Sequence, residues 1–237
     1  MVILVKELLM PDNDQQPATA DSAFIQKLVA TINSLPWTEV VKEVWQVVKK
    51  IFQRQSSEGM YEVLDYETIL ELHDVKGIRA TIKKRERIRY LQDNVITYQD
   101  QAWGDGEILL GYRCVPGKPV DRYRSGYKTY ILISRREVKN RGDVDEYRIQ
   151  WGIRRGFLKP TGFWETEISQ RTNRILVQVI FPKGRPPHKA SIEERNQRRA
   201  HSLGEEALAK LPDGRWQIAW QQSQPRLYEH YILNWEW

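Results

Sequence analysis

The chain has 237 residues, a formal net charge of +6 at pH 7, and 41% hydrophobic against 29% charged residues. A chain of this length can bury a core unaided. The single cysteine excludes a disulfide framework, and four scattered histidines argue against a clustered zinc site. Lys6 and Glu7 interrupt the apolar N-terminus too early for a signal peptide or membrane span. We predict a cytoplasmic protein without a transmembrane segment, metal or cofactor. The positive charge favours an anionic partner, which could be nucleic acid, lipid or acidic protein.

The N-terminal quarter of the chain predicts a flexible segment followed by two helices. Residues 1–21 include a polar stretch punctuated by proline, which is typical of a linker. Residues 22–56 carry apolar side chains at helical spacing. Pro36 separates a first helix from a second, which runs from about Trp37 to Arg54. We therefore predict a helical hairpin over residues 22–56.

The second predicted helix has an apolar stripe that something must cover. Its members are Trp37, Val41, Val44, Trp45, Val48, Ile51 and Phe52. The stripe either packs on the rest of the protein or binds a partner protein or a membrane surface. Glu39 and Glu43 dilute the cationic face expected of a lipid-binding helix, so a protein partner ranks above a membrane. These seven residues form the predicted partner-binding site.

From residue 57 to the C-terminus the periodicity is that of β-strands. Short β-branched and aromatic runs alternate with turn sequences such as Pro212-Asp213-Gly214. Strands are predicted near residues 60–65, 67–73, 78–91, 94–99, 107–115, 127–135, 145–155, 163–169, 174–181, 215–221 and 228–237. Because no long helical crossover separates them, the pattern favours an antiparallel β-sandwich over residues 57–237, with a barrel as the alternative.

Three segments of this region carry distinct signals. Residues 174–181 are apolar in nearly both alternating phases, which predicts a strand buried on both faces. Residues 190–210 are rich in helix formers and poor in apolar residues, which predicts an excursion with a helical turn or two. The final strand places Tyr231, Leu233, Trp235 and Trp237 on one face, and so much aromatic area should close the core.

A row of cations follows the period of a strand between residues 79 and 89. Its members are Arg79, Lys83, Arg85, Arg87 and Arg89. Apolar residues such as Ile82 and Ile88 take the opposite phase, so the cations should share one sheet face. Alternate strand residues recur every ~6.6 Å, which resembles the ~6–7 Å between phosphates on an extended nucleic-acid strand. We predict a polyanion-binding site here, with a solvated face as the competing interpretation.

Motifs for chemistry are weak in this sequence. Asp74-Val75-Lys76 matches the acid-x-lysine half of a metal-dependent nuclease site, but Gly77 follows directly and the run is more simply a turn. Gly111–Lys118 has the wrong spacing for a phosphate loop, and no nucleophile elbow is present. We therefore predict a non-enzymatic binding or adaptor module that engages a partner protein or membrane surface through its N-terminal helices and presents a basic sheet face. The alternative is a nucleic-acid-binding protein, at the extreme a metal-dependent nuclease.

Overall fold

Residues 59–237 are described by the structure, a computed structural model, and they form fourteen β-strands and one turn of 3-10 helix at Glu205–Ala207. The predicted flexible segment (1–21), the helical hairpin (22–56) and its apolar stripe lie outside the described residues and stay predictions, as does the domain boundary at residue 57. No helix within residues 59–237 has the length and apolar character needed to cross a membrane.

The strands are numbered in chain order. They are β1 (Tyr61–Leu72), β2 (Arg79–Tyr90), β3 (Val95–Ala102), β4 (Glu107–Val115), β5 (Lys118–Ser125), β6 (Lys128–Lys139), β7 (Val144–Arg154), β8 (Thr161–Glu167), β9 (Arg174–Phe181), β10 (Lys189–Glu194), β11 (Arg199–Ser202), β12 (Leu208–Lys210), β13 (Trp216–Ser223) and β14 (His230–Glu236).

Within residues 59–237 these strands make three open sheets, so the mainly β, antiparallel sandwich class is confirmed and the barrel alternative is not adopted. The large sheet has the order β12-β13-β9-β1-β2-β7-β4, and the smaller sheets have the orders β11-β10-β14-β8 and β3-β6-β5. One pair departs from the antiparallel prediction, because β1 and β9 run parallel with Leu70 opposite Val179. Strands this distant in sequence can pair in either direction, since no hairpin constrains them.

The inward face of the large sheet carries an apolar core toward its β9 end. Val179 and Phe181 on β9 are fully buried. The Phe181 ring lies 5.8 Å from the rings of both Trp235 and Trp237, in edge-to-face arrangements. The prediction that the C-terminal aromatic residues close the core is confirmed. The outer side chains of β9, from Leu176 to Ile180, are half-buried, so only one face of this strand is fully covered.

The secondary structure differs from the prediction in three segments, each for a physical reason. The two strands predicted near residues 60–65 and 67–73 are one strand, β1 (Tyr61–Leu72), which accommodates a bulge between Val63 and Asp65 instead of a break. The sequence analysis missed β5, because this edge strand has no fully buried face and hence no apolar alternation. Residues 190–210 form β10, β11 and β12 with one 3-10 turn, since Ala190 and Ile192 pair with Trp235 and Leu233 on β14. Tertiary pairing overrides helix propensity here.

Candidate ligand cavity

An open cavity of about 1040 Å³ lies between the two smaller sheets, against the large one. Its walls include consecutive residues of two strands, Gln99–Ala102 of β3 and Thr161–Glu167 of β8. Only alternate side chains of a strand share a face, so an unbroken run of lining residues indicates that strand edges border the cavity. In the described part of the chain, β3 pairs with β6 alone and β8 with β14 alone. Two free sheet edges therefore border the same cavity.

The floor of the cavity is a buried charged group. The ammonium of Lys84 contacts Asp100 and lies 3.4 Å from Glu86, and all three side chains are less than 10% exposed. The hydroxyl of Tyr98 donates to Glu86 at 2.5 Å, and that of Tyr112 donates to Asp100 at 2.7 Å. Two carboxyl groups thus share one ammonium and two phenols, which is the kind of pairing that buried charges require.

The electrostatics of this floor favour a fixed cation with neutral donors around it. Burial alone would lower the pKa of Lys84, but Asp100 and then Glu86 hold that pKa above its ordinary range. Burial and the adjacent carboxylates raise the pKa values of Tyr98 and Tyr112. Lys84 therefore stays an ammonium and does not supply a nucleophilic amine.

A second buried polar cluster extends this layer beneath the three-stranded sheet. Asp145 accepts hydrogen bonds from the Tyr90 hydroxyl at 2.8 Å and from Arg135 at 3.2 Å. The ring of Tyr147 stacks on that of Tyr98 at 3.9 Å and so joins the two clusters. The large sheet thus packs on the four-stranded sheet through apolar rings. It packs on the three-stranded sheet through these paired charges together with buried aliphatic side chains such as Ile131 and Ile133.

The mouth of the cavity is apolar and exposed. Tyr127, Leu158 and Phe163 line it and are each about half exposed, at 57%, 54% and 50%. We call these three residues the exposed rim. Exposed apolar groups gathered around a polar recess are typical of interaction sites. None of the three was predicted, because a single aromatic in a strand or turn is not distinctive in sequence.

The predicted polyanion row lies on the outer face of the large sheet, as expected, but it faces acidic residues of β1. Arg85 pairs with Asp65, with Glu67 at 2.7 Å and with Glu146 at 3.2 Å. Lys83 pairs with Glu71, Arg89 with Glu62, and Arg79 more loosely with Asp74. Arg87 is exposed and has no ion-pair partner within residues 59–237. The row is a cross-strand ladder of ion pairs, and its binding of a polyanion stays a prediction.

The nuclease-like run at Asp74 forms a turn. The two carboxylate oxygens of Asp74 accept backbone N–H groups from Lys76, Ile78 and Arg79 at 2.9–3.1 Å. These bonds close the β1–β2 connection, as aspartate does in many turns. Within the described residues, no cluster of three or more histidine, cysteine, aspartate or glutamate residues could hold a metal ion.

The charge ladder should make stability depend on acid pH. Burial works to raise the pKa of Asp65, but Arg174 and then Arg85 hold it below the ordinary 3.8. The hydrogen bond from Arg85 lowers the pKa of Glu67 below 4.5. A depressed pKa stabilises the fold above the unfolded value and loses that contribution as pH falls through the folded value. We expect Arg85→Gln to cost about 1 kcal/mol near neutral pH, and progressively less as the pH falls below 4.5, the ordinary value for Glu67, and then below 3.8, that for Asp65.

Urea unfolding across this pH range checks the prediction, and Arg87→Gln is the matched control. Arg87 lies on the same face two residues away and has no ion pair within residues 59–237. Its replacement should leave the pH profile of the unfolding free energy unchanged. Superimposable profiles for Arg85→Gln and the wild type would show that the ion pairs of Arg85 contribute nothing measurable to stability.

The sequence analysis missed Lys84 and Glu86, although their signal was available. Both share the phase of Ile82 and Ile88, so the alternation that places those residues inward also buries two charges. Charged residues are rarely buried unless paired, and such positions mark a polar network.

Cys114 is also buried, and burial together with the charge of Asp100 raises its pKa to about 12, so its thiol stays protonated at neutral pH.

Comparisons with known proteins add little to this geometry. No protein-family model matches the chain, and no curated protein matches its sequence. Among solved structures it is similar to a candidate protease from Parabacteroides distasonis, with 8% identity and a TM-score of 0.45 over 76% of this chain and 41% of that one. It is also similar to an M1 zinc metallopeptidase from Deinococcus radiodurans, with 9% identity and a TM-score of 0.42 over 75% and 42%. The chain spans less than half the length of each.

Proposed function

We propose that the chain is a non-enzymatic binding or adaptor module whose β domain holds an extended segment of a partner protein in the cavity. The observation that carries this proposal is that two free sheet edges, β3 and β8, border one open cavity. A free edge presents a row of unpaired backbone N–H and C=O groups. An extended peptide satisfies that row by joining the sheet as a further strand.

The size and lining of the cavity support a peptide ligand. Its volume of about 1040 Å³ lies just above the usual range of about 300–1,000 Å³ for small-molecule sites, which leaves room for a peptide segment. The exposed rim supplies aromatic and aliphatic anchors, which often dominate the binding energy of interfaces. Lys84, Glu86 and Asp100 line the floor with paired charges, and the Lys84 ammonium is not a nucleophile. We also propose a cytoplasmic location, which the single buried cysteine supports. The predicted helical stripe would be a second contact with a partner.

Polyanion binding by the outer row is the competing proposal, and nucleic acid is its principal ligand class. The exposure of Arg87 favours it. The ion pairs of Lys83, Arg85 and Arg89 weigh against it, because a phosphate would have to compete with carboxylates already in place. Metal-dependent cleavage of nucleic acid is the enzymatic extreme of this alternative.

Selection of linear random peptides on the full-length chain tests the peptide proposal. We expect enriched peptides to lose about tenfold or more in affinity on Tyr127→Asp or Phe163→Asp, because an aspartate replaces a rim anchor. Tyr228→Asp is the matched control, since Tyr228 is 61% exposed and does not line the cavity. Titration calorimetry measures the affinities.

Two results would contradict the proposal. Peptides that bind Tyr127→Asp and Phe163→Asp as tightly as the wild type do not use the cavity. A chain that enriches no peptide but binds DNA or heparin with a salt dependence reduced by combined Arg85→Gln, Arg87→Gln and Arg89→Gln uses the basic row instead.

A further inference from the structure

The wall of the cavity holds an ammonium between two aromatic rings. Trp103 and Tyr127 have ring centroids 6.3 Å apart and planes at 88°, so they form two walls at right angles. The Nζ atom of Lys128 lies 5.0 Å from the Trp103 ring and 5.6 Å from the Tyr127 ring. The carboxylate of Glu167 contacts the same ammonium. We call Trp103, Tyr127 and Glu167 the cage, and Lys128 is its occupant.

A buried carboxylate fixes the orientation of the tryptophan. Its indole N–H donates to Oε2 of Glu165 at 3.2 Å. The other oxygen of Glu165 lies 2.7 Å from both Arg195 and His230, and its side chain is only 7% exposed. The indole is therefore held by a carboxylate that two further side chains, Arg195 and His230, hold in place. A ring fixed in this way keeps its face available to a cation without reorganisation.

The occupant is a side chain at the start of a strand, and it is 12% exposed. Lys128 is the first residue of β6 and pairs with Ser125 across the two-residue turn Gly126-Tyr127. Its four-carbon side chain is flexible, and the cage residues and Lys128 all line the open cavity. Tyr127 is 57% exposed, so one wall of the cage is accessible from solvent.

We propose that the cage is an ammonium-binding subsite of the cavity, and that a lysine or methylated lysine side chain of the bound ligand displaces Lys128 from it. Rings and a carboxylate around one cation are the recognition chemistry of amines and quaternary ammonium groups. The inference rests on the proposed peptide-binding function and names the side chain that the cavity selects. Lys128 is then an internal competitor, which keeps the carboxylate of Glu167 paired until the ligand arrives.

Because Lys128 is tethered to the cage, it competes at an effective concentration on the order of millimolar. This competition lowers the apparent affinity of the cage for any free amine. Removing Lys128 should therefore reveal the affinity of the empty cage. The probe is Nα-acetyl-Nε-trimethyl-lysine amide, which carries the cation without a peptide backbone long enough to add a strand. Its neutral counterpart is Nα-acetyl-norleucine amide.

The experiment titrates each probe into the full-length chain labelled with 15N at its indoles and follows the Trp103 indole resonance. We expect Lys128→Ala to bind the trimethyl-lysine probe about tenfold or more tightly than the wild type. Lys118→Ala, which removes an exposed lysine outside the cavity, should match the wild type. The norleucine probe should bind all forms weakly and equally.

Two further variants identify the source of binding. Both variants are made in the Lys128→Ala background. Trp103→Ala removes one aromatic wall, and its binding is followed by calorimetry because the indole resonance is lost; Glu167→Gln removes the charge, keeps the side-chain shape and serves if Trp103→Ala fails to fold. Either change should abolish the tenfold gain in affinity for the trimethyl-lysine probe. The inference is overturned if Lys128→Ala binds no more tightly than the wild type, or binds both probes alike. Failure of the peptide selection with success of this titration would overturn the peptide proposal and leave an amine site.

Discussion

Replacing Lys84 with methionine is expected to lower the unfolding free energy by about 3–5 kcal/mol, the range for breaking a buried ion pair by removing one partner. Lys84 is 7% exposed and is the shared cation of Asp100 and Glu86. Without it, two carboxyl groups remain buried without a counter-charge, and the desolvation cost of each is no longer compensated.

Urea unfolding of the full-length chain measures this loss, and Lys83→Met is the matched control. Lys83 is the neighbouring residue on the opposite face of the same strand, and its ion pair with Glu71 is 52% exposed on the lysine side. We expect its replacement to cost less than about 1 kcal/mol. Adding Asp100→Asn to Lys84→Met should recover part of the loss, because it removes one unpaired charge. Equal unfolding midpoints for Lys84→Met and Lys83→Met would show that the buried charge of Lys84 contributes no more to stability than an exposed one.

Replacing Trp235 with alanine is expected to cost about 3–5 kcal/mol, the range for truncating a buried aromatic side chain. Trp235 is 2% exposed, and its ring contacts those of Phe181 and Phe157 at centroid distances of 5.8 and 6.0 Å. Its indole N–H has no hydrogen-bond partner within residues 59–237, so its contribution comes from apolar burial and ring packing. Deleting residues 235–237 should cost at least as much.

Thermal and urea unfolding check this second prediction, with Glu236→Ala as the control. Glu236 is the next residue on the same strand, and its ion pair with Lys189 is long at 3.6 Å and exposed. Its loss should change stability by less than about 0.5 kcal/mol. Gly162→Ala gives an independent test, because a Cβ at Gly162 would lie 2.6 Å from the Trp235 ring and must displace it. A Trp235→Ala protein that unfolds at the wild-type midpoint would refute a structural role for the residue.

The sequence was a good guide where a local period carries the signal. The strand β9 was predicted at its observed position, because apolar residues fill nearly all of both its alternating phases. The alternation at residues 79–89 placed the cations on one face of β2, as the structure has them. Residues 190–210 show the limit of such reasoning, because their composition favours helix while partners on β14 draw them into a sheet.

The sequence by itself determined the β class, the positions of β2 and β9 and the burial of the C-terminal tryptophans, since each follows from side-chain alternation within one segment. Only the tertiary structure decided what the cations meet and where a ligand could bind. Arg85 is neutralised by residues 18 to 61 positions away, and the cavity is bordered by β3 and β8, which are separated by four strands in the chain. Pairing between distant strands depends on packing that no local period encodes. The ion pairs of Arg85 and the borders of the cavity could therefore not be predicted from the sequence.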